Sequence, residues 1–293
     1  MMGRRSILFT DQNQGSQILQ GPIAQAVALA IFGNDILRGY QRENFWPAAT
    51  VFKFCKAVRF VALSGEAAKP TESLFAEDPM QWISRLRDEG TSSLRLHHVA
   101  RNDPRGSDRM SVGFIGGGPR WLIETRHARA SDLWEARWQV VNKDDPDQKI
   151  WDVAYCRVDQ GRAPIPLQTR SLTALRQDLM MALSRIEAFA TRQKLETFAG
   201  AFRNASGKLS SADPLAGTYH SDLAPTPIMP LEAKQLLASA QAAWVFGGMG
   251  SWNDLGFDGS DQQEYTALSD ELFLLLNQAL GVTVNTTSGA AGP

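Results

Sequence analysis

The sequence predicts an α+β protein. Its centre is an antiparallel meander of four to five strands, about 93–158, packed against a long helix at 171–203, with further helices at both chain ends. Three observations carry this expectation. Between 110 and 158 four runs alternate apolar and polar residues, broken at 116–119, 128–132 and 142–148; such breaks fit hairpins and are too short for parallel crossovers. Behind Ser171, a good N-cap, Leu172, Leu175, Leu179, Leu183, Ile186 and Phe189 recur at helical spacing, and Leu195, Phe198 and Phe202 continue the pattern. Near the start, the apolar run 23–32 follows Pro22 and ends at Gly33, which predicts a helix; its Ala24, Ala26, Ala28 and Ala30 suit close packing.

The remaining elements follow in order. Residues 5–10 suggest a short strand, and 11–16 a polar loop. Pro47 suits a helix start, and Lys53, Lys56 and Arg59 recur every three residues with apolar residues between them. That spacing favours a helix with one basic, solvated stripe. A loop is expected at 64–73, a short helix at 79–89 and a first strand at 94–99, followed by a charged loop at 101–109. In the meander, Trp121, Ile123 and Thr125 share one face of their strand. Trp134, Ala136, Trp138 and Val140 do so on the next, and Trp151, Val153 and Tyr155 on the last. If the hairpins pair in register, these residues form one aromatic wall, and the 171–203 helix is expected to lie across it. Glu124, Arg126, Glu135, Arg137 and Gln139 fall on the opposite face. A slip of one residue would bury those charges, so the register is strongly specified.

An extended linker is expected at 160–169. Pro230 opens a helix buried through Leu231, Leu237 and Trp244 and ended by Gly247 and Gly248. Ser260 to Gln263 has the form of a capping box before a last helix that Gly281 closes. The expected organisation is therefore a core domain at 1–203, a linker at 204–230 and a C-terminal helical subdomain at 231–293 packed on the core.

Composition narrows function mainly by exclusion. The chain has 293 residues, 43% of them hydrophobic and 21% charged, with a net charge of −1. This is ordinary for a globular protein and supplies no global basic field for nucleic acid. Residues 1–170 carry a net charge of about +4 and residues 171–293 about −5, which suits two halves that attract one another. Cys55 and Cys156 make no disulfide framework and are expected as free, buried thiols. There is no apolar signal region at the start. The longest nearly apolar run, about 10 residues, is too short to span a bilayer, so a cytoplasmic protein is expected.

Motifs that carry chemistry fail on inspection. Asp254 to Tyr265 lacks two ligands of a calcium loop. Ser206-Gly207-Lys208 lacks the earlier glycine of a phosphate loop, and the glycines at 116–118 do not lead into a helix. His97 and His98 point to opposite faces of a strand, and no zinc spacing occurs. No cofactor or metal is expected.

Two candidate sites remain. The stretch 244–257 sets Trp244, Trp252 and Phe257 among glycines, including Gly247 and Gly248, with Asn253 and Asp254 as polar contacts. It suits a partner-binding loop, or a corner whose aromatics plug the core. Alternatively, if the charged face is covered, Glu124, Arg126, Glu135 and Arg137, with His127 at the strand end, could act on a small polar substrate. A solvated ladder of cross-strand pairs explains the same residues. The expected function is a non-catalytic interaction protein of the regulatory, scaffold or toxin-neutralising kind, binding another protein or itself. Whether it is an enzyme is left open; nucleic acid and membrane are not expected partners.

Overall fold

A computed structural model describes residues 19–65, 70–101, 106–167, 170–224 and 226–289. The strand expected at 5–10 and the loop at 11–16 lie outside them. The protein is α+β, with a mixed sheet of six strands in the order β2-β1-β6-β5-β4-β3. The strands are β1 (Cys55–Ser64), β2 (Thr71–Ala76), β3 (Ser93–Val99), β4 (Arg120–Arg126), β5 (Ser131–Val140) and β6 (Trp151–Arg162). The helices are α1 (Gly21–Leu37), α2 (Pro79–Asp88), α3 (Asp108–Ser111), α4 (Leu172–Arg192), α5 (Glu196–Lys208), α6 (Leu231–Ala242) and α7 (Gly259–Asn285).

Strands β3 to β6 form the antiparallel meander that the alternation predicts. Ile123 pairs with Trp134, and Ala136 and Trp138 pair with Tyr155 and Val153. Two neighbours differ from expectation. The basic residues Lys56 and Arg59 lie on β1, which runs parallel to β6. Their spacing of three mimics a helix, but Val58 and Phe60 alternate with them into the core. Residues 71–76, expected as loop, pair with β1 as the edge strand β2. The first expected run, 110–115, is the short helix α3 and a turn.

The aromatic wall exists, but α1 and α2 cover it instead of the 171–203 helix. Phe60 stacks on Trp82 of α2 at 4.4 Å and on Tyr155 at 5.3 Å, and Trp82 meets Trp134 edge-on at 5.7 Å. Helix α1 packs against β3, β4 and β5 on one side and α7 on another. The expected 171–203 helix is broken into α4 and α5, and α4 packs on α5, α6 and α7 instead. The reason is amphipathicity. Every residue of α1 from Ile23 to Asp35 is buried, so it suits a layer with protein on both sides. The stripe of α4 (Leu175, Leu179, Leu183, Ile186) can satisfy only one side.

Helix ends follow local chemistry. The Asp78 carboxylate accepts from Gln81 N at 2.9 Å and starts α2, and Ser171 Oγ accepts from Ala174 N at 3.1 Å and starts α4. Helix α7 starts after Asp258 rather than at a capping box, and Gly281 lies within it. By length and composition α7 could cross a membrane, yet 67% of its apolar window is buried within the protein, as in a core helix.

The sheet edge at β3 is closed by two asparagines. Asn34 of α1 accepts from Leu94 N at 2.7 Å and donates to Leu94 O at 2.9 Å. Asn285 of α7 does the same for Leu96, at 2.8 and 2.9 Å. Each carboxamide thus takes the place of a neighbouring strand and blocks edge-to-edge pairing. Asn34→Ala leaves a buried N–H and C=O unpaired and is expected to cost about 2–4 kcal/mol. Urea unfolding measures this; a cost under about 1 kcal/mol contradicts the capping role.

Candidate functional site

Two glycine-rich loops meet at one end of the fold. The first, 107–119, follows β3 and contains α3. Ser107 Oγ accepts from Met110 N at 3.3 Å, and Ser111 Oγ accepts from Gly118 N at 3.0 Å, which folds the loop onto itself. The second, 243–258, joins α6 to α7. There Asp254 Oδ2 accepts from Gly250 N at 2.6 Å and Ser251 N at 3.2 Å. The loops touch backbone to backbone: a Cβ on Gly113 would lie 2.8 Å from Gly247 Cα, and one on Gly247 would lie 2.7 Å from Gly113 Cα. Only glycine at both positions permits this approach.

A buried guanidinium ties the loops together. Arg109 Nε donates to Asp270 Oδ1 on α7 at 2.7 Å, and Nη1 donates to Asn253 Oδ1 at 2.8 Å. Asn253 Nδ2 returns a bond to Arg109 O at 2.7 Å. The guanidinium also lies 5.8 Å from the centre of the Tyr265 ring.

Most of the residues expected to contact a partner do internal work. Trp252 is fully buried, edge-on to Phe198 and Phe202 at 5.1 and 5.2 Å, and its Nε1 donates to Ser269 Oγ at 2.7 Å. Trp244 is buried against Phe246 and Phe273. Phe257 packs on Phe189 and Tyr265. Of the two readings of this stretch, the packing is that of the corner: in a connection between two helices, Trp244 and Trp252 fill the bundle core and Phe257 packs against it. Asn253 and Asp254 hold the loops, and Gly247 and Gly248 form the turn.

The side chains that do face outward are others. Met249 is 69% exposed, Phe114 65%, Ile115 48% and Met110 47%. Sequence reasoning passed over Met249 for its aromatic neighbours and placed Met110, Phe114 and Ile115 on a strand. The available signal was a large apolar residue within each of two glycine-rich stretches.

The charged residues of the meander do not converge on one cleft. Glu124 is fully buried; its Oε2 lies 2.9 Å from His97 Nε2, and its Oε1 accepts from Ile165 N at 2.8 Å. Ile165 belongs to an extended segment after β6. Burial alone would raise the Glu124 pKa, but bonds from His97 and the Ile165 amide lead the opposing effects, which together hold the carboxyl below its usual range. Glu135 is held in a two-bond pair by Arg120, with Nε at 2.9 Å. Arg137 pairs with Glu72 at 2.6 Å. His127 Nε2 lies 3.6 Å from Asp132, and the Arg126 carbonyl accepts from Ser92 N at 2.7 Å. Among the described residues no group of three His, Cys, Asp or Glu could hold a metal ion.

Both cysteines are free and buried, and burial pushes the Cys55 thiol up to about 11. His98 and His220 are held below the ordinary value of 6.5, chiefly by burial. No protein family, curated protein or solved structure matches the chain.

Two outcomes follow from this packing and charge. Trp252→Ala empties a filled core site and is expected to cost about 3–5 kcal/mol in urea unfolding; a cost under about 1 kcal/mol contradicts the core role. Acid should destabilise the protein in two stages. His98 and His220 take up protons less readily when folded, whereas the unfolded chain takes them up below about 6.5, so stability falls as pH drops past that value. The ionised Glu124 adds stability above its unfolded pKa that is lost as pH falls through its lower folded pKa. The stability gap between wild type and Glu124→Gln should therefore shrink below about pH 4.5. A gap that stays constant from pH 7 to 3 would show that Glu124 is not held as described.

Proposed function

We propose that this is a non-catalytic interaction protein of the regulatory or scaffold kind, and that it binds another protein through the apolar patch where its two glycine-rich loops meet. The carrying observation is the joint exposure of Met110, Phe114, Ile115 and Met249 on loops locked together at Gly113 and Gly247. Four such side chains present on the order of 400 Å² of apolar surface, within the size range of patches that bind partners. Locking the loops before binding lowers the entropy cost of association. The internal role of the neighbouring aromatics supports the same reading, because they set the shape of the loop and leave contact to its tips.

A second reading, an enzyme acting on a small polar substrate through the charged face, has one observation behind it. Glu124 is shielded from water and orients His97, an arrangement that suits a general base. The pairing of Glu135 with Arg120 and of Arg137 with Glu72 counts against it, since the charges that would surround a substrate are already spent on one another.

Recovery of native partners with tagged wild-type protein tests the first reading. The double variant Phe114→Ser, Met249→Ser should keep its stability within about 0.5 kcal/mol, because both side chains are exposed, and should lose the partner. Retention of the partner by that variant, together with its loss in Arg137→Ala, would overturn the reading. Turnover of a substrate that disappears in both His97→Asn and Glu124→Gln would favour the second.

A further inference from the structure

We infer that Arg109 couples the two glycine-rich loops into one cooperative unit, so that the apolar patch is assembled or dispersed as a whole. The functional consequence rests on the interaction reading above, whereas the coupling itself does not.

The argument begins with what is missing between the loops. At Gly113 and Gly247 the contact is backbone against backbone. Beside the junction Val112 and Phe246 are buried in the core, and Gln20 donates to Phe246 O at 3.4 Å, but these contacts hold each loop to the body of the fold. The direct polar bonds from one loop to the other run between Arg109 and Asn253. Arg109 is the hub of this clasp, with a side chain only 7% exposed, and its partners come from two elements, α7 and the second loop. Asp270 stands on α7, Asn253 on the second loop, and the Tyr265 ring on the first half of α7. Asn253 accepts from the Arg109 guanidinium and donates to the Arg109 carbonyl, so each loop is bonded to the other in both directions.

A buried cation cannot stay in place once its counter-charge is removed. It moves toward water, and the first loop moves with it because Arg109 lies on α3. The second loop then loses both bonds of Asn253. Its anchors to the body of the fold remain: Gln20 donates to Phe246 O at 3.4 Å, and Trp252 is tied to the core through Ser269 and accepts from Tyr265 OH at 2.5 Å. Phe114 and Ile115 on one loop and Met249 on the other would separate, and the patch would cease to exist as one surface.

Asp270→Ala tests this most cleanly, because Asp270 belongs to neither loop and its side chain is 55% exposed. Amide hydrogen exchange of the full chain reads the result without any partner. The bonded amides of Phe114, Gly117 and Gly118 report on the first loop, and those of Gly250, Ser251 and Trp252 on the second. The expected result is faster exchange in both sets together, by about tenfold, with the centre of α7 unchanged. Asn253→Ala should act on both sets in the same way. Faster exchange in one loop alone, or in neither, would overturn the coupling. Loss of partner in the Phe114 and Met249 variant with uncoupled exchange here would leave the docking reading standing and this one refuted.

Discussion

The fold depends on how closely α1 lies against the sheet. A Cβ on Gly33 would fall 2.2 Å from Leu94 Cδ1, so the Leu94 side chain of β3 packs directly onto the bare Cα of the helix. The next residue, Asn34, uses that nearness to bond both backbone groups of Leu94 and the hydroxyl of Thr287 at 2.9 Å. One turn of helix therefore bears on three things: the height of α1 above the sheet, the closure of the β3 edge at Leu94 and the docking of the chain just after α7. The aromatic face can be covered because this helix is buried on all sides, with its few polar side chains, Gln25, Asn34 and Asp35, all bonded, and is narrow at Gly33.

The remaining helices are sorted by the same logic. Helix α1, buried from Ile23 to Asp35, lies on the sheet; α6, buried from Gln235 to Ala242, is central to the helical layer; and α4, with one apolar stripe, packs on α5, α6 and α7. This arrangement sets the position of the loop junction. Gln20, at the entry to α1, donates to Phe246 O at 3.4 Å, and a Cβ on Gly247 would meet its amide. The first loop leaves β3, the second leaves α6, and both return onto α7 through Arg109. The exposed tips are thus held by the same three elements that close the core.

Much of the fold was legible in the sequence. The alternation in 120–158 specified the strands and the aromatic face, because burying one face of an antiparallel sheet enforces a period of two; it did not show that Glu124, on the other face, is also fully buried, beside Leu122 and Leu133. Residues 55–64 were misread because Lys56 and Arg59 are three apart and both strand and helix can place charges at that interval. The roofing helix was misassigned for a physical reason: periodicity reports that α4 has one apolar face but not what that face meets. The candidate site was half legible. Its glycines stood out, yet which side chains pointed outward depended on Trp252 finding Ser269 and on Arg109 finding Asp270 across 161 residues of sequence. Such pairings leave no local pattern.

The most direct test of the account is a double-mutant cycle at the point where α1 meets the sheet. Gly33→Ala alone should destabilise by about 1–3 kcal/mol through overpacking, and Leu94→Ala alone by about 2–5 kcal/mol through a cavity. Made together, the added methyl occupies the space the leucine vacates, and the double variant should cost at least about 1 kcal/mol less than the two single costs combined. Strict additivity would mean that Gly33 and Leu94 do not touch, and the placement of α1 over the aromatic wall would be contradicted.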